Sequence, residues 1–259
     1  MNCALITGAS SGIGAEFCRQ LDNANLDQIW VVARRTQRLE ALATQLCTPV
    51  RVCTADLSTP QGVESIAAQL EEQRPHITWL INNAGFGKLG DFGSIALEHN
   101  LDMVNLNARA VVHLTWHAIP YLHRGSFIVN VSSSAGFAPL GGFGIYAATK
   151  AFVNSFSLSL RAELAPRGIG VTAVCPGPVD TEFNTVAFEG SNRAKGVFNR
   201  KAPTSAIVAL ALRDTRRGKA YSLYGPARLV NLAARCLPSA LIARLSCSFL
   251  YRTLKGRRT

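Results

Sequence analysis

Short apolar runs rich in β-branched residues alternate with longer segments in which apolar residues return every three or four positions. The runs are Cys3 to Thr7, Ile29 to Ala33, Val50 to Thr54, Thr78 to Asn82, Ser126 to Ser132, Ile169 to Cys175 and Ala220 to Leu223, and all have strand length. Between them, sets such as Leu39, Leu42, Ala43 and Leu46, or Val63, Ile66, Ala67 and Leu70, share one face of a helix. The strands are apolar throughout instead of alternating, as a parallel sheet covered by helices on both faces requires. The pattern predicts an α/β chain built on a doubly wound parallel sheet of about seven strands.

Composition narrows this picture. At 259 residues the chain has the length of a single α/β domain, and folding hides about three quarters of its surface, so neither a disulfide nor a metal is needed to hold a core. Seven cysteines stand at 3, 18, 47, 53, 175, 236 and 247, without a C-x-x-C pair or a neighbouring histidine, which predicts reduced thiols inside a cell. No basic, apolar leader precedes Cys3 and no apolar run approaches the roughly 18 residues of a membrane span, so the expected location is cytoplasmic. The formal charge is +11, from 27 basic and 16 acidic residues, but it is not evenly spread. The last acid is Asp214; ten bases follow it, which leaves the first 214 residues at a net +1. Residues 1–225 are expected to form one α/β domain, with a polar, mobile loop at about 181–201. Residues 226–259 are expected to form a basic, amphipathic helical extension.

The first strand runs into Thr7-Gly8-Ala9-Ser10-Ser11-Gly12-Ile13-Gly14 and then a helix. Glycines at 8, 12 and 14 leave the backbone uncovered, so a pyrophosphate can approach the amides at the positive end of that helix. A tight turn without a ligand is the alternative, and the strand-turn-helix context weighs against it. The second strand ends in Arg34-Arg35, where an NAD-preferring protein carries an acid for the ribose 2′-hydroxyl. Guanidiniums there suit a 2′-phosphate and predict NADP(H) over NAD(H), the bland alternative being two solvated arginines.

With TGASSGIG, then Ala55-Asp56-Leu57, then Asn82-Asn83-Ala84-Gly85 in order, the chain resembles the short-chain dehydrogenase/reductase family, a Rossmann-type fold. The resemblance implies that Asp56, with Leu57 beside it, holds the adenine amino group, and that the turn Asn83, Ala84, Gly85 supports the sheet near the adenine ribose. Asp56 could simply cap the helix starting near Pro60, and Asn83 could equally serve only backbone groups.

Tyr146 and Lys150 are four residues apart at the start of a helical stretch and share one face. A phenol near pKa 10 is a poor proton carrier at neutral pH, and a fixed ammonium beside it draws that value down. Ser133 lies 13 residues before Tyr146, the interval found in the family, and its hydroxyl is expected to hold the substrate oxygen; Ser132 and Ser134 are the neighbours it must be told from. The resemblance further implies that Asn107, with Asn105 as its rival, holds a water in a proton relay from Lys150. It also implies that the Pro176-Gly177-Pro178-Val179 turn, through the Val179 backbone, and the Thr181 side chain hold the nicotinamide carboxamide. Cys175 is expected to pack in its strand.

Phe137 and Phe143, with Phe183 and Phe188 after Thr181, predict apolar walls and a hydrophobic carbonyl or secondary alcohol as substrate. The resulting expectation is an NADP(H)-dependent oxidoreductase, with Tyr146 as acid or base, Lys150 tuning it and holding the nicotinamide ribose, and no metal. The alternatives are a reductase of 3-oxoacyl carrier-protein thioesters and a non-catalytic NADP-binding sensor or scaffold. A sugar epimerase or dehydratase is a further rival, disfavoured by the G-x-x-x-G-x-G spacing. By resemblance the chain is expected to form a homodimer or homotetramer. Two helices at Ala227 to Cys236 and Ser239 to Leu254, the second with Leu241, Ile242, Leu245 and Phe249 on one face, could lie on an anionic membrane, dock an acidic carrier or cover the pocket. Aromatic and basic residues do not interleave there, so no nucleic acid is expected.

Overall fold

The computed structural model describes residues 1–179, 181–187, 202–225 and 227–255. Asp180, Phe188, most of the expected substrate loop (188–201) and the Lys-Gly-Arg-Arg end beyond Lys255 lie outside the described residues, as does the Phe249 side chain.

Seven strands form one parallel sheet: β1 (Asn2–Thr7), β2 (Gln28–Ala33), β3 (Val50–Thr54), β4 (His76–Asn82), β5 (Leu122–Val131), β6 (Gly170–Cys175) and β7 (Tyr221–Leu223), in the order β3-β2-β1-β4-β5-β6-β7. The order reverses direction between β1 and β4, and in such sheets ligands bind beyond the carboxyl ends of the strands at that switch point. Alternate residues of each strand feed two separate cores. On one face Leu5, Trp30, Leu80 and Ile128 pack against α3 (Pro60–Gln73), α5 (Ala110–Ala118) and α6 (Gly144–Leu164). On the other Ile6, Val31, Ile81 and Val129 pack against α1 (Gly12–Leu21), α2 (Thr36–Ala43) and α8 (Thr204–Arg216). This is the Rossmann-type arrangement the apolar strands predicted.

Between α4 (Leu97–Val104) and α5 the chain does not break but widens into a π-helical turn, Asn105–Arg109. After β6 come the short α7 (Phe183–Ala187), then α8 and β7, and finally α9 (Ala227–Cys236) and α10 (Ser239–Lys255). No helix among the described residues is long and apolar enough to cross a membrane. Both final helices fold back on the body. Helix α9 packs on the short turn Ser134–Phe137, and Ser246 of α10 accepts a hydrogen bond from the Gly141 N–H at 3.2 Å.

Candidate active site

The glycine turn is shaped by contact, not merely by flexibility. Gly8 has φ +64°, and a Cβ there would lie 2.7 Å from Asn83 Nδ2; a Cβ on Gly14 would lie 2.3 Å from the Gly8 carbonyl oxygen. Asn83 Nδ2 donates to the carbonyls of Thr7 (2.9 Å) and Gly8 (3.2 Å), while the Thr7 hydroxyl accepts from the N–H groups of Asn83 and Ala84. The β1 and β4 turns are thus laced together, which is the structural role left open for Asn83. Ser11, the N-cap of α1, does not cap it; its hydroxyl accepts from Arg35 Nη2 at 3.2 Å. The first amides of α1 therefore lack a side-chain acceptor from the cap, and the glycine cradle beside them leaves room for a pyrophosphate. Ile13 packs against the α1 side of the core and Ala84 against the opposite core.

At the end of β2 the two arginines part company. Arg34 pairs with Asp56 at 3.7 Å and is largely exposed. Arg35 donates to Ser10 (2.9 Å), to Ser11 and, through Nη1, to Glu182 Oε2 at 2.9 Å. Arg38, in the first turn of α2, donates to the other oxygen of the same carboxylate. Hydrogen bonds from Arg38 and Arg35 hold the Glu182 carboxyl below its usual pKa. Neither Arg38 nor Glu182 was flagged by motif spacing; the Arg-Arg-x-x-Arg pattern carried a signal for the first, and nothing local for the second.

Asp56 does not cap α3. Thr59 does, its hydroxyl accepting from the Gly62 N–H at 3.0 Å. Asp56 Oδ1 instead accepts from the Ser58 N–H and hydroxyl, closing the turn that leads to Thr59. Burial opposes its ionisation, but those bonds and Arg34 outweigh it and keep the carboxyl below its ordinary range. The Leu57 side chain is in the core, so only its main chain is left for a ligand.

The carboxyl ends of β4 to β6 hold the remaining candidates. Lys150 and Tyr146 are buried on α6, and Lys150 Nζ donates to the Val131 carbonyl of β5 at 2.8 Å, 5.8 Å from the Tyr146 ring centroid. Asn107, buried in the π-helical turn, accepts from the Phe86 N–H (3.0 Å) and donates to the Phe86 carbonyl (2.8 Å) and to Thr149 Oγ1 (3.2 Å). A Cβ on Gly85 would meet both Asn107 Oδ1 (2.8 Å) and Lys150 Nζ (3.4 Å), so those two atoms converge on one point. The extra residue of a π turn re-aims a side chain, and it is Asn107, not Asn105, that meets Phe86. Of the three serines, Ser132 donates to the Lys150 carbonyl and Ser134 uses its N–H on Pro176; Ser133 caps the short turn through Ala135 N–H. Behind the site a buried chain of amides and hydroxyls, Asn82 to Thr115 and Asn130, then Asn130 to Ser157, ties the central strands to α5 and α6.

The electrostatics depart from the simple expectation. Burial pushes the Tyr146 phenol up to about 12, against a smaller lowering by the Ser133 hydroxyl. Burial also brings Lys150 down to about 8. Desolvation of the phenolate dominates the proton affinity of Tyr146 in this arrangement, while the ammonium is bound to a strand carbonyl. At neutral pH the pair is a neutral phenol and a largely protonated amine, the form suited to proton donation. Cys175 is fully buried, its thiol pushed up to about 12, mainly by burial, and shared with Asn154, as strand packing requires.

Phe143 stacks on Tyr146 at 4.4 Å and Phe183 lies 5.3 Å from it. Phe137 does not join them; it packs edge-on to Tyr221 of β7, under the side that α9 covers. Thr181 rests on the glycine turn, its methyl 3.0 Å from where a Gly12 Cβ would be, and the Val179 carbonyl accepts from Asn184 Nδ2. A Cβ on Gly177 would meet nothing within 4 Å, and the Pro176 carbonyl is fixed by Ser134.

Residues 2–192 match the family model described as short chain dehydrogenase. The chain belongs to that family. Sulfoacetaldehyde reductase 2 of Chromohalobacter salexigens is 36% identical over 76% of this chain and 80% of its own length. Among solved structures, a short-chain dehydrogenase from Sphingobium yanoikuyae in complex with NADPH is 32% identical with a TM-score of 0.79, covering 93% of this chain and 95% of its own. The bulky-bulky ketone specific alcohol dehydrogenase from Comamonas testosteroni is 30% identical, TM-score 0.74, over 93% and 94%.

This short-chain dehydrogenase is accordingly an oxidoreductase acting between CH–OH and C=O groups with a nicotinamide nucleotide. The residues present fit such a nucleotide: a glycine cradle that a single Cβ would fill, uncapped amides at the α1 terminus, and guanidiniums at the end of β2. Thr7 and Thr149 are the polar residues motif reading passed over. Thr7 opens the glycine turn and Thr149 stands between Tyr146 and Lys150, but their partners, Asn83 and Asn107, lie far away in sequence.

Proposed function

We propose that this short-chain dehydrogenase uses NADP(H) to interconvert a hydrophobic ketone or aldehyde and its alcohol. One observation carries the cofactor reading: Arg35 and Arg38 together grip a carboxylate, Glu182, beside Ser10 at the end of β2. That pocket is made for an anion, and a 2′-phosphate is the anion that distinguishes NADP(H) there. The NADPH bound to the Sphingobium relative supports it.

When bound, the nicotinamide supplies or accepts the hydride. The chain's residues then manage the substrate oxygen and its proton. Tyr146, a neutral phenol, donates its O–H to the carbonyl oxygen during reduction and takes it back during oxidation. Ser133 offers a second hydroxyl to the same oxygen. Lys150 places a cation behind the phenol, stabilising negative charge on Tyr146 Oη as the proton leaves, and also holds the nicotinamide ribose. Asn107 keeps a free acceptor lone pair beside Lys150 Nζ, where a water can reprotonate the amine. Asp56, the Asn83 turn, Val179 and Thr181 are the residues that would hold the rest of the nucleotide.

Phe143 and Phe183 against Tyr146 make the reacting carbonyl's neighbours aromatic, which favours a hydrophobic substrate over the small anionic aldehyde named for the Chromohalobacter relative. NADPH oxidation over a panel of carbonyls graded by size and polarity tests this. Turnover should rise with apolar bulk; good turnover confined to small polar aldehydes removes the substrate reading, and equal efficiency with NADH removes the cofactor reading.

Two surfaces complete the proposal. Leu97, Leu101 and Val112 on α4 and α5, with Phe152 and Leu158 on α6, are exposed and suit a homodimer or homotetramer; a monomer by analytical ultracentrifugation rejects it. Leu229, Leu232, Leu241 and Leu245 on α9 and α10 are exposed beside Arg228 and Arg244 in the acid-free end of the chain. They suit peripheral contact with an anionic membrane. Co-sedimentation with anionic vesicles that persists after truncation at Gly225 rejects that.

A further inference from the structure

We propose that Glu64, His113 and His117 form a binding site for a single transition-metal dication, of the Zn²⁺, Ni²⁺ or Cu²⁺ class, that clamps α3 to α5. His113 and His117 are four residues apart on α5 and so project from one face. Glu64 meets them from α3, which packs directly against α5. Glu64 Oε1 lies 2.9 Å from His113 Nε2 and 3.6 Å from His117 Nε2, and the three potential ligand atoms all fall within 4.8 Å of one another. An ion with bonds of about 2.0 to 2.2 Å in tetrahedral geometry holds neighbouring ligand atoms roughly 3.3 to 3.5 Å apart. The two separations from Glu64 straddle that value, and the two imidazoles, whose ring centroids are 5.1 Å apart on one helix face, close on a shared ion by side-chain rotation.

The chemistry of the donors selects the ion. Two imidazoles and a carboxylate are borderline ligands that suit zinc, nickel and copper and discriminate against magnesium and calcium, which prefer all-oxygen sets. The imidazoles are half-buried, about a quarter exposed, so they are already partly desolvated and fixed by packing; the carboxylate is the more exposed ligand. One carboxylate against a dication leaves a net +1 and an open coordination position for water or an anion. Glu64 and His117 also line a groove of about 840 Å³ that includes Trp116 and Tyr121, giving an exogenous ligand a way in. Trp116 stands edge-on to His117 with ring centroids 4.9 Å apart and reports on the site.

The consequence reaches the active site along one helix. Helix α5 continues directly from the π-helical turn that presents Asn107, with His113 and His117 roughly two and three turns further on. A metal that fixes α5 to α3 stabilises the helix on which that turn is built.

Because seven cysteines could also take up metal, the test compares the full-length protein, stripped with chelator, with a His113→Gln, His117→Gln double variant. Ni²⁺ alone is titrated, followed by calorimetry and tryptophan fluorescence, with Zn²⁺ as competitor. The wild type should bind one equivalent saturably, quench the Trp116 emission and melt at a higher temperature with metal than without. The double variant, which should melt like the stripped wild type, should bind at least about tenfold more weakly and lose the quenching. Indistinguishable Ni²⁺ binding by the two proteins assigns the metal elsewhere and overturns the proposal, as does absence of saturable binding up to millimolar Ni²⁺, which leaves the cluster a hydrogen-bonded Glu-His pair. Glu64→Gln, which keeps a hydrogen-bond acceptor but removes the charge, should weaken Ni²⁺ binding too; unchanged affinity there also counts against the three-ligand site.

Discussion

At the carboxyl ends of β1 to β3 charged side chains meet in the open: Arg34 with Asp56, Arg35 and Arg38 with Glu182. At the ends of β4 to β6 the ionisable groups, Tyr146 and Lys150, are buried, and each is held by uncharged partners or by backbone. The two halves of the sheet's carboxyl edge thus follow opposite electrostatic plans. Exposed ion pairs are worth little to stability and are easily remade, so the first half can exchange an internal anion for an external one. Burial shifts the proton affinity of its ionisable groups, so the second half suits the proton transfer proposed for it and tolerates little change.

The largest effect that tests this contrast is at the buried end. Tyr146→Phe removes one oxygen and keeps the ring stacked on Phe143, so it should open no cavity and leave the fold and cofactor affinity intact. Turnover should fall by about 10²- to 10⁴-fold, the usual weight of general acid catalysis. Steady-state kinetics beside a nucleotide titration checks it; turnover close to wild type takes the proton donor away from Tyr146.

At the exposed end Arg35→Ala should act differently, on binding and on one cofactor. It deletes charge-assisted hydrogen bonds of about 1.5 to 3 kcal/mol, so KM for NADPH should rise roughly 10- to 100-fold while that for NADH barely moves. Equal losses with both cofactors point to a general distortion of the Ser10-Ser11 turn and end the 2′-phosphate reading.

A third test follows from proton affinity. With Lys150 brought down to about 8 by burial, its ammonium is lost as pH rises through that value, and kcat/KM for reduction should decline above it by about tenfold per pH unit. The same shift has a stability consequence of fixed sign. Between about 8 and the unfolded value of 10.5 the unfolded chain holds a proton that the folded chain does not, so the cost of burying Lys150 is relieved as pH rises across that window. Tyr146 works the other way: its folded value, near 12, exceeds the unfolded 10, so its contribution to stability is lost as pH rises from 10 to 12. A kcat/KM profile flat to pH 9.5 would contradict the Lys150 assignment.

The contrast also explains what could be read in advance. Strand positions were legible because burial on both faces forces continuous apolar runs. β3 is Val50–Thr54 as the pattern has it, and β5 differs mainly at its start, where the Ser126 hydroxyl, bonded to His123 N–H and the Ile77 carbonyl, lets the strand begin at Leu122. The buried end of the candidate site was legible as spacing, since Tyr146 and Lys150 sit on one helix and Ser133 lies two residues past the end of the adjoining strand. Its proton affinities were not, because desolvation depends on everything packed around those side chains. The π-helical turn at Asn107 was hidden because Leu97 to Ala118 has an ordinary helical pattern. Phe137 was misplaced because α9, about 90 residues later, decides which way that wall faces. Glu182 was invisible for the same reason: its partners are 144 and 147 residues away.

Glu182 supplies the smallest and most discriminating test. Its carboxylate accepts from Arg35 and Arg38 at the place proposed for the 2′-phosphate, so NADPH has to displace it or bind against its charge, whereas NADH can leave it where it is. Glu182 is thereby an internal competitor that narrows the preference the arginines alone would produce. Glu182→Gln should raise the ratio of kcat/KM for NADPH over NADH by about two- to fivefold, the equivalent of an exposed ion pair worth up to about 1 kcal/mol. Because the group is half exposed, the melting temperature should hardly change. Arg35→Ala shifts the same ratio in the opposite direction, so the two variants together separate the pocket from its occupant. A fall in the ratio on Glu182→Gln would mean that the carboxylate helps to orient the arginines for the phosphate, and an unchanged ratio with Arg35→Ala still damaging would mean that Glu182 leaves the pocket before either cofactor arrives.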